Sequence, residues 1–498
     1  MIDNPPRARC GGSVESAWMS GLPTMRNAPL YLAPALAVGA GMAIGSGYAT
    51  RAAAVAVGVV GLWGSLRVAA WISVERVAIV VTCLALALTP CNGLRVGPLT
   101  AGDIGLLLAI PAVFVLSGFR FRMPPTWFLV GVGVLLLSVI VSELSPPISK
   151  SNELFQSRNL STGEANSSPS WVLGLRLVFA VAAVPTIVFC AARRDDLRRK
   201  LAMAWLAGTF VSALVGVLAA WGIVDLQETL TGVAYGTTGW RGAAGRFTGL
   251  AVHPTQYGVM AAIALPIALT RMTTTRMVAL YGPVTAILFV ATLVSGSRAA
   301  LAGAFVAVGL AAFANRRTRQ WIGRLTLVGA MVAVVAGGSA LATSFSSVQR
   351  LLGGAGNGVA ARSAGTSDTD RARVIREGVN FFFQRPVFGW TYGAIRGAHD
   401  IPLQLLSSGG ILALLGWMTA VCGSMVAAWR VRRSVPDGFA WSIAIGVLLV
   451  AGLSMNAILD RWLYVPTGFA LAAAFAGQRA AAVGGSSARA LAPERVIG

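Results

Sequence analysis

The sequence predicts an all-α integral membrane protein, and its composition carries that prediction. Of the 498 residues, 56% are hydrophobic and only 12% are charged, whereas a soluble domain carries about 25% charged residues. The mean hydropathy of +0.71 agrees with this bias. A chain this apolar is not an ordinary soluble enzyme, and it is not disordered, because disorder needs low hydrophobicity and high charge.

The positions of the apolar segments predict about 12–14 transmembrane helices, since a bilayer core of about 30 Å needs about 20 apolar residues in helical form. The second and third segments are the weakest, because Arg67, Glu75 and Arg76 interrupt them. In chain order, the predicted spans are 28–49, 52–72, 76–90, 103–119, 125–144, 171–192, 199–222, 253–270, 277–295, 297–314, 324–344, 402–429, 438–456 and 462–478.

The distribution of arginine predicts how the chain is oriented. The formal net charge is +22, and 38 of the 40 basic residues are arginines because only Lys150 and Lys200 are lysines. Arginine clusters fall in short loops on one side, which the positive-inside rule assigns to the cytoplasm. Nucleic acid is not an expected partner, because no long basic run lies in a hydrophilic domain. We therefore predict a cytoplasmic tail at 1–27, N-terminal transmembrane helices at 28–222, a transmembrane core at 223–344, a large extracytoplasmic loop at 345–401, C-terminal transmembrane helices at 402–478 and a second cytoplasmic tail at 479–498.

The predicted extracytoplasmic loop 345–401 departs from the positive-inside rule because it contains seven arginines. Long loops are partly exempt from the rule, so a solvated basic surface is one interpretation. A site for an anionic, lipid-linked substrate is the other, since guanidinium groups bind phosphate oxygens in a planar fork and stay charged. Charge alone favours neither interpretation.

Histidine is scarce, and both histidines fall at the predicted outward edge of a span. His253 and His399 each follow an arginine-bearing loop. A lone histidine is more often structural than catalytic. The shared position at one predicted membrane face nevertheless makes both candidates for function.

Four short stretches between 246 and 411 form a set of motifs in a fixed order. They are Arg246-Phe-Thr-Gly249 with His253-Pro254, Ser295-Gly-Ser297-Arg298, Arg371 to Glu377 with Pro386 and Gly389, and His399 followed after nine residues by Gly409. In this order they resemble the O-antigen ligase and O-antigen polymerase superfamily of bacterial membrane glycosyltransferases. Several positions depart from the family pattern: Thr255 and Asp400 stand where the family usually has asparagine, Ile375 stands in place of leucine, and Trp390-Thr391 replaces x-Gly after Gly389.

The resemblance implies a reaction and a role for each motif residue. The donor would be a glycan on polyprenyl pyrophosphate, the acceptor a sugar hydroxyl, and the process cell-envelope or exopolysaccharide biosynthesis at the outer face of the cytoplasmic (inner) membrane. Ligation and polymerisation both remain open. No metal or other cofactor is expected. His399 is the candidate base, Arg246, Arg298 and Arg371 are the candidate pyrophosphate clamp, Arg373 is a substitute for Arg371, and His253 is a further candidate for substrate binding.

Two alternatives come from other classes of protein. Asp368-Thr369-Asp370 has the form by which nucleotide-sugar transferases hold a divalent metal, although those enzymes place it in a soluble α/β domain that this composition excludes. A polytopic transporter or flippase is the other alternative, and it would need ionisable residues near the bilayer midplane. Arg67 and Arg176 are the main candidates for such residues.

Overall fold

The computed structural model describes residues 73–96, 99–118, 122–144, 170–224, 246–274, 277–314, 316–335, 359–392, 400–455 and 457–490. The chain divides into two units, Met1–Ser73 and Val74–Gly498, and every described helix lies in the second unit. The predicted spans 28–49 and 52–72, the tail 1–27 and most of the loops 145–170 and 223–252 fall outside the described residues.

The described part of the second unit is helical except for one short hairpin, which confirms the all-α fold class. The hairpin pairs Arg95 with Thr100 and Val96 with Leu99 in antiparallel register. In chain order the elements are α1 (Val74–Leu88), β1 (Arg95–Val96), β2 (Leu99–Thr100), α2 (Ala101–Leu116), α3 (Thr126–Glu143), α4 (Ser170–Val178), a π-helical turn (Phe179–Ala183), α5 (Val184–Ala191), α6 (Asp195–Ala220), α7 (Pro254–Thr274), α8 (Val278–Val294), α9 (Arg298–Ala314), α10 (Arg316–Val335), α11 (Val359–Gln384), α12 (Ile401–Arg430), α13 (Pro436–Gly452), a 3₁₀ turn (Arg461–Tyr464) and α14 (Val465–Ala490).

Helix length and hydropathy identify this as a multi-pass membrane protein. A described helix overlaps each predicted span from 76–90 onward. Four shorter apolar helices, which include α2, α8 and α13, lie beside the long ones. Five helical segments in the described chain are long and apolar enough to cross a membrane: Thr126–Glu143, Ser170–Ala191, Asp195–Ala220, Pro254–Thr274 and Ile401–Arg430.

Two helix boundaries differ from the hydropathy prediction. α10 begins at Arg316, eight residues before the predicted span 324–344, so the arginine run forms its first turn instead of a loop. The predicted loop 345–401 contains the 26-residue helix α11. Hydropathy marks the part of a helix that contacts lipid, whereas arginine is itself a good helix former. Polar helical turns therefore extend beyond the apolar segments.

Helix α7 lies at the centre of the bundle. The apolar window of α7 is 83% buried inside the protein, compared with 33% for α3. A helix that is buried on all sides belongs to the core of a bundle. The outer helices instead expose large apolar side chains, such as Leu107 and Leu108 of α2 and Leu137 of α3, which is the surface that lipid requires. The N-terminus of the central helix is where two of the sequence motifs meet.

The ends of the helices form two opposite faces of the bundle. At one face, which we call the motif face, α7, α9 and α12 begin. There the amide of Gln256 donates to Asp460 at 2.5 Å. At the opposite face, Arg271 at the end of α7 pairs with Asp437 at the start of α13 at 3.2 Å. The first two sequence motifs lie at the motif face, and the described part of the fourth begins there with α12.

Candidate functional site

His253 ends the loop that leads into α7, and it caps that helix. The backbone N–H of Thr255 donates to His253 Nδ1 at 3.1 Å. The backbone N–H of Tyr257 donates to the His253 carbonyl at 3.0 Å. The first N–H groups of a helix lack partners within the helix, and a side-chain acceptor just before it stabilises them. The imidazole of His253 therefore holds the first turn of α7, and its Nδ1 acts as an acceptor.

Arg246 connects the loop before α7 to the end of α8. Its Nε donates to the Ser295 carbonyl at 3.2 Å, and its Nη2 donates to Thr255 Oγ1 at 3.2 Å. A Cβ built on Gly296 would lie 3.0 Å from Arg246 Cγ, so the arginine stem lies directly against that glycine. The structure thus brings together two motifs that are far apart in sequence.

The backbone conformation and close packing at position 249 require the glycine of the Arg246–Gly249 motif. Gly249 has a φ of +53°, a conformation that L residues with a Cβ rarely adopt. A Cβ there would also meet the Ser212 carbonyl and the ring of Tyr257. Tyr257 is fixed in turn, since its hydroxyl donates to the Ala213 carbonyl at 2.8 Å. This packing fixes the backbone that carries Arg246.

The turn from Ser295 to Arg298 joins α8 to α9. The Ser297 backbone N–H donates to Ser295 Oγ at 3.2 Å. Ser297 Oγ accepts the backbone N–H of Ala300 at 3.3 Å and so caps α9. Arg298 is the first residue of α9, which confirms that the Ser-Arg pair stands at the head of a helix. Helix N-termini favour anions, so a second arginine lies where a negative group is stabilised.

Arg371 lies on the side of α11 that packs against α12. Val374 and Phe381 of α11 cluster with Leu403 of α12. Gly378 packs closely against the same leucine, because a Cβ on Gly378 would lie 3.0 Å from Leu403 Cδ2. Arg371 falls on the same stripe, three residues before Val374, and its Nε atom is buried. The bundle-facing position of Arg371 distinguishes it from Arg373 and Arg376, which are exposed.

Arg373 lies on another side of α11. Its side chain is 47% exposed, and its Nε lies 3.9 Å from Glu377 Oε1, one helical turn further on. The side chains of Asp368 and Asp370, the pair with the form of a metal motif, lie outside the described residues. Within α11, burial therefore separates Arg371 from Arg373.

The Pro386–Gly389 segment interlocks with a kink in α12. Gly410 has a non-helical φ of +69° inside α12. The Ile411 N–H donates to the Pro386 carbonyl at 2.9 Å, and the Trp390 N–H donates to the Ser407 carbonyl at 3.0 Å. Gly389, with a φ of +64°, packs against the backbone at Ser408 and Gly409. The third motif and the glycine of the fourth are therefore in direct contact.

Asp400 begins α12 by capping it, and Gly393–His399 lies outside the described residues. The Leu403 N–H donates to Asp400 Oδ1 at 2.9 Å. Burial raises the pKa of Asp400, and the hydrogen bond from Leu403 acts in the opposite direction. Asp and Asn are about equally good at this position. The replacement of the family's asparagine by Asp400 therefore preserves the cap next to His399.

A polar network behind His253 contains residues that the sequence interpretation missed. Asn92 Oδ1 accepts the Val252 N–H at 3.1 Å, and its Nδ2 donates to Gln256 Oε1 at 3.0 Å. Gln256 continues the chain to Asp460. The next residue, Arg461, pairs with Asp103, whose carboxylate accepts the backbone N–H of Thr100, the N-cap of α2. The charged pair Asp460-Arg461 between two apolar segments could have indicated this network in the sequence, because charged residues are energetically costly near a membrane.

The comparison with known proteins concerns the same elements. Residues 283–418 match the family model of the O-antigen ligases. The match extends from α8 through Arg298 and Arg371 to the kink at Gly410, and it begins after Arg246 and His253. No curated protein matches the chain.

The match confirms the resemblance to the O-antigen ligase and polymerase superfamily. It supports an O-antigen ligase or polymerase type of function for this membrane protein. The matched region contains the Ser-Arg turn, the arginine-bearing helix and the interlocked glycines. The roles of the individual residues remain predictions.

Proposed function

We propose that the protein transfers a glycan from polyprenyl pyrophosphate to a sugar hydroxyl at the outer face of the cytoplasmic membrane, without a metal ion. One observation carries the proposal. Arg246 donates to the carbonyl of Ser295, in the turn that leads directly to Arg298. Two arginine motifs that are distant in sequence thus meet beside a helix N-terminus, which is where a pyrophosphate would be bound most favourably.

The reaction exchanges one bond at the anomeric carbon. The acceptor hydroxyl attacks that carbon, the bond from the carbon to the pyrophosphate oxygen breaks, and the bonding electrons leave with the pyrophosphate. His399 is the proposed base for the hydroxyl proton, since an imidazole of ordinary pKa accepts protons near neutral pH. The sequence places His399 directly before the cap residue Asp400.

The negative charge that develops on the leaving pyrophosphate needs fixed cations. Arg246, Arg298 and Arg371 are the proposed cations, with Arg373 as a substitute for Arg371. The guanidinium of Arg246 is held by two hydrogen bonds, so it needs little reorganisation when the charge forms. Preorganised donors of this kind are usually the largest single contribution to rate. Such a clamp would make a divalent metal unnecessary.

His253 has a supporting part in this proposal. Its Nδ1 holds the backbone of Thr255, whose hydroxyl accepts from Arg246. The histidine therefore acts on the donor site by fixing the turn that positions Arg246. A contact of the imidazole with the substrate would add to this effect.

The outward position of the motif face rests on charge. The opposite face contains Arg193, Arg194, Arg199 and Lys200 at the start of α6, and further arginines follow α12. Cytoplasmic segments are enriched in such residues. The motif face would then be directed away from the cytoplasm, towards lipid-linked glycans that have already crossed the membrane.

The test is glycan transfer by the purified protein in liposomes. A synthetic polyprenyl-pyrophosphate glycan is supplied with a soluble or lipid-linked acceptor, and products are measured by mass spectrometry. We expect a longer or newly attached glycan together with one polyprenyl pyrophosphate for each transfer, and much less of both with Arg246→Gln. The exposed Arg376→Gln is the control and should behave like the wild type. Movement of the intact donor across the bilayer without bond cleavage would instead identify a transporter or flippase.

A further inference from the structure

Two arginines from separate segments lie over one aromatic ring at the opposite face, and the charge of a third, Arg122, acts on one of them, Arg193. The Arg193 guanidinium carbon lies 5.0 Å from the centre of the Phe475 ring, and that of Arg479 lies 5.7 Å from the same centre. Arg122 precedes α3, and its carbonyl accepts a hydrogen bond from Cys190 Sγ at 3.6 Å. This contact attaches the Arg122 segment to the end of α5. We call Arg122, Arg193, Arg479 and Phe475 the arginine cluster.

The cluster is built on closely packed helices. Phe475 of α14 also contacts Phe189 of α5 edge to face, with ring centres 6.0 Å apart. Elsewhere on α14, Gly468 packs so closely against Val188 and Pro185 of α5 that a Cβ on Gly468 would overlap them. The two helices thus set the positions of Arg193 and Arg479. This packing fixes the backbone and the Phe475 ring over which the two guanidinium groups lie.

The charges of the cluster are not neutralised by carboxylates in the described chain. Burial lowers the pKa of Arg193, and the neighbouring charges of Arg122 and Arg479 lower it further. The acidic groups closest in sequence are engaged elsewhere: Asp195 pairs with Arg198, and Asp196 pairs with Arg194. The Nε atom of Arg193 is buried and has no hydrogen-bond acceptor among the described residues. A buried donor without an acceptor destabilises the folded protein, so an anionic oxygen bound here would be stabilising.

We propose that the arginine cluster binds the phosphate headgroup of an anionic phospholipid. Guanidinium groups match phosphate oxygens in geometry and charge. The cluster lies where the membrane-spanning helices end, and Met123, next to Arg122, is 68% exposed. Basic pockets between helix ends on the cytoplasmic side suit anionic headgroups, while the acyl chains lie along the exposed apolar surface. The site is at the face opposite to Arg246 and Arg298, so the proposal does not depend on glycan transfer.

The test is lipid binding by the full-length protein in a neutral detergent, measured by native mass spectrometry. Phosphatidylglycerol, phosphatidylcholine and inorganic phosphate are added separately. We expect phosphatidylglycerol to bind the wild type, and to bind Arg193→Gln roughly tenfold more weakly, because one charge-assisted contact is lost. Arg479→Gln, which changes an exposed side chain, should weaken binding in the same direction.

Arg432→Gln is the matched control. Arg432 also lies over an aromatic ring, 4.6 Å from the centre of Trp429, but its Nη1 already donates to the Trp429 carbonyl at 3.0 Å. This variant should bind phosphatidylglycerol like the wild type. Equal weakening by Arg432→Gln would overturn the proposal, because it would indicate a diffuse charge effect. Binding of phosphatidylcholine or of inorganic phosphate as tight as that of phosphatidylglycerol would also overturn it.

Melting in lipid-free detergent separates binding from folding. Removing one of three crowded like charges should leave the melting temperature of Arg193→Gln unchanged or higher. Added phosphatidylglycerol should then raise the melting temperature of the wild type more than that of the variant, because a ligand stabilises the state that it binds. A variant that melts lower without lipid, and gains as much from lipid as the wild type, would assign the cluster a purely structural role.

Discussion

Arg371 is the residue at which a guanidinium and a simple positive charge can be distinguished. Arg371→Lys keeps the charge but replaces a planar fork with a point charge on a flexible stem. Loss of a charge-assisted hydrogen bond costs about 1.5–3 kcal/mol, so we expect transfer to fall roughly ten- to a hundredfold. The assay is initial transfer rate with purified protein and synthetic donor. Arg376→Lys, on the exposed side of the same helix, should retain the wild-type rate, and a fully active Arg371→Lys would remove Arg371 from the clamp.

The two histidines should differ in what their loss does. His253 Nδ1 accepts the Thr255 N–H, and loss of a helix cap costs about 0.5–2 kcal/mol of stability. His253→Ala should therefore lower the melting temperature and reduce transfer only moderately. His399→Ala should abolish most transfer with little change in melting temperature, because a base is lost. Transfer rates and melting curves of the two variants are measured side by side. A larger loss of transfer in His253→Ala than in His399→Ala would make His253 the base.

At this scale the sequence predicted the motif residues but not the contacts between them. It identified Arg246 and the Ser295–Arg298 turn separately, and the hydrogen bond that joins them depends on how α7 and α8 pack. In the network through Asn92, Gln256 and Asp460, only the charged Asp460-Arg461 pair gave a signal in the sequence, because a single amide such as Asn92 or Gln256 belongs to no motif or periodic pattern. Pairing across distant helices is a property of packing, and no local pattern encodes it.

At the scale of the elements, the contact between α12 and the Pro386–Gly389 segment that follows α11 depends on Gly410. Gly410 has a φ of +69°, and a Cβ there would overlap the Val387 carbonyl. This backbone conformation is essentially restricted to glycine, and it alone costs a residue with a Cβ about 1–3 kcal/mol. Gly410→Ala should therefore loosen the Pro386–Gly389 segment from α12, lower the melting temperature by several degrees and reduce transfer.

Gly446→Ala provides the control for that change. Gly446 lies inside α13, and a Cβ there would have no neighbouring atom within 4 Å. Alanine is preferred to glycine in a helix by about 1 kcal/mol, so this variant should melt at the same or a higher temperature. Thermal unfolding in detergent measures both variants. Equal melting of Gly410→Ala and the wild type would mean that the kink is not needed for the contact.

The sequence predicted most of the described helices, because an apolar segment of about 20 residues indicates a transmembrane helix. It did not predict the full extent of α11, since that helix mixes arginines with apolar residues and has no continuous apolar run. The kink at Gly410 was also beyond local prediction. The pair Gly409-Gly410 indicates a flexible backbone, but the direction of the bend is set by the Pro386 carbonyl, which accepts a hydrogen bond from the Ile411 N–H.

Orientation in the membrane is the property of the whole molecule on which the proposed reaction depends. A cysteine at Asn380, which is exposed on α11, should react with a membrane-impermeant thiol reagent in intact cells. A cysteine at Ser434, in the exposed turn after α12 at the opposite face, should react only after the cells are broken. Labelling is compared with that of the unmodified protein to correct for its own cysteines. The opposite pattern would place the motif face in the cytoplasm.

In the proposed mechanism, arginines, and no metal ion, stabilise the departing pyrophosphate. The most direct measurement is the rate of glycan transfer by the purified protein, with a synthetic polyprenyl-pyrophosphate donor, before and after divalent metals are removed with EDTA. We expect the same rate in both conditions. Complete loss of transfer in EDTA, with recovery on adding Mg²⁺, would contradict it and would make Asp368 and Asp370 the residues to change next.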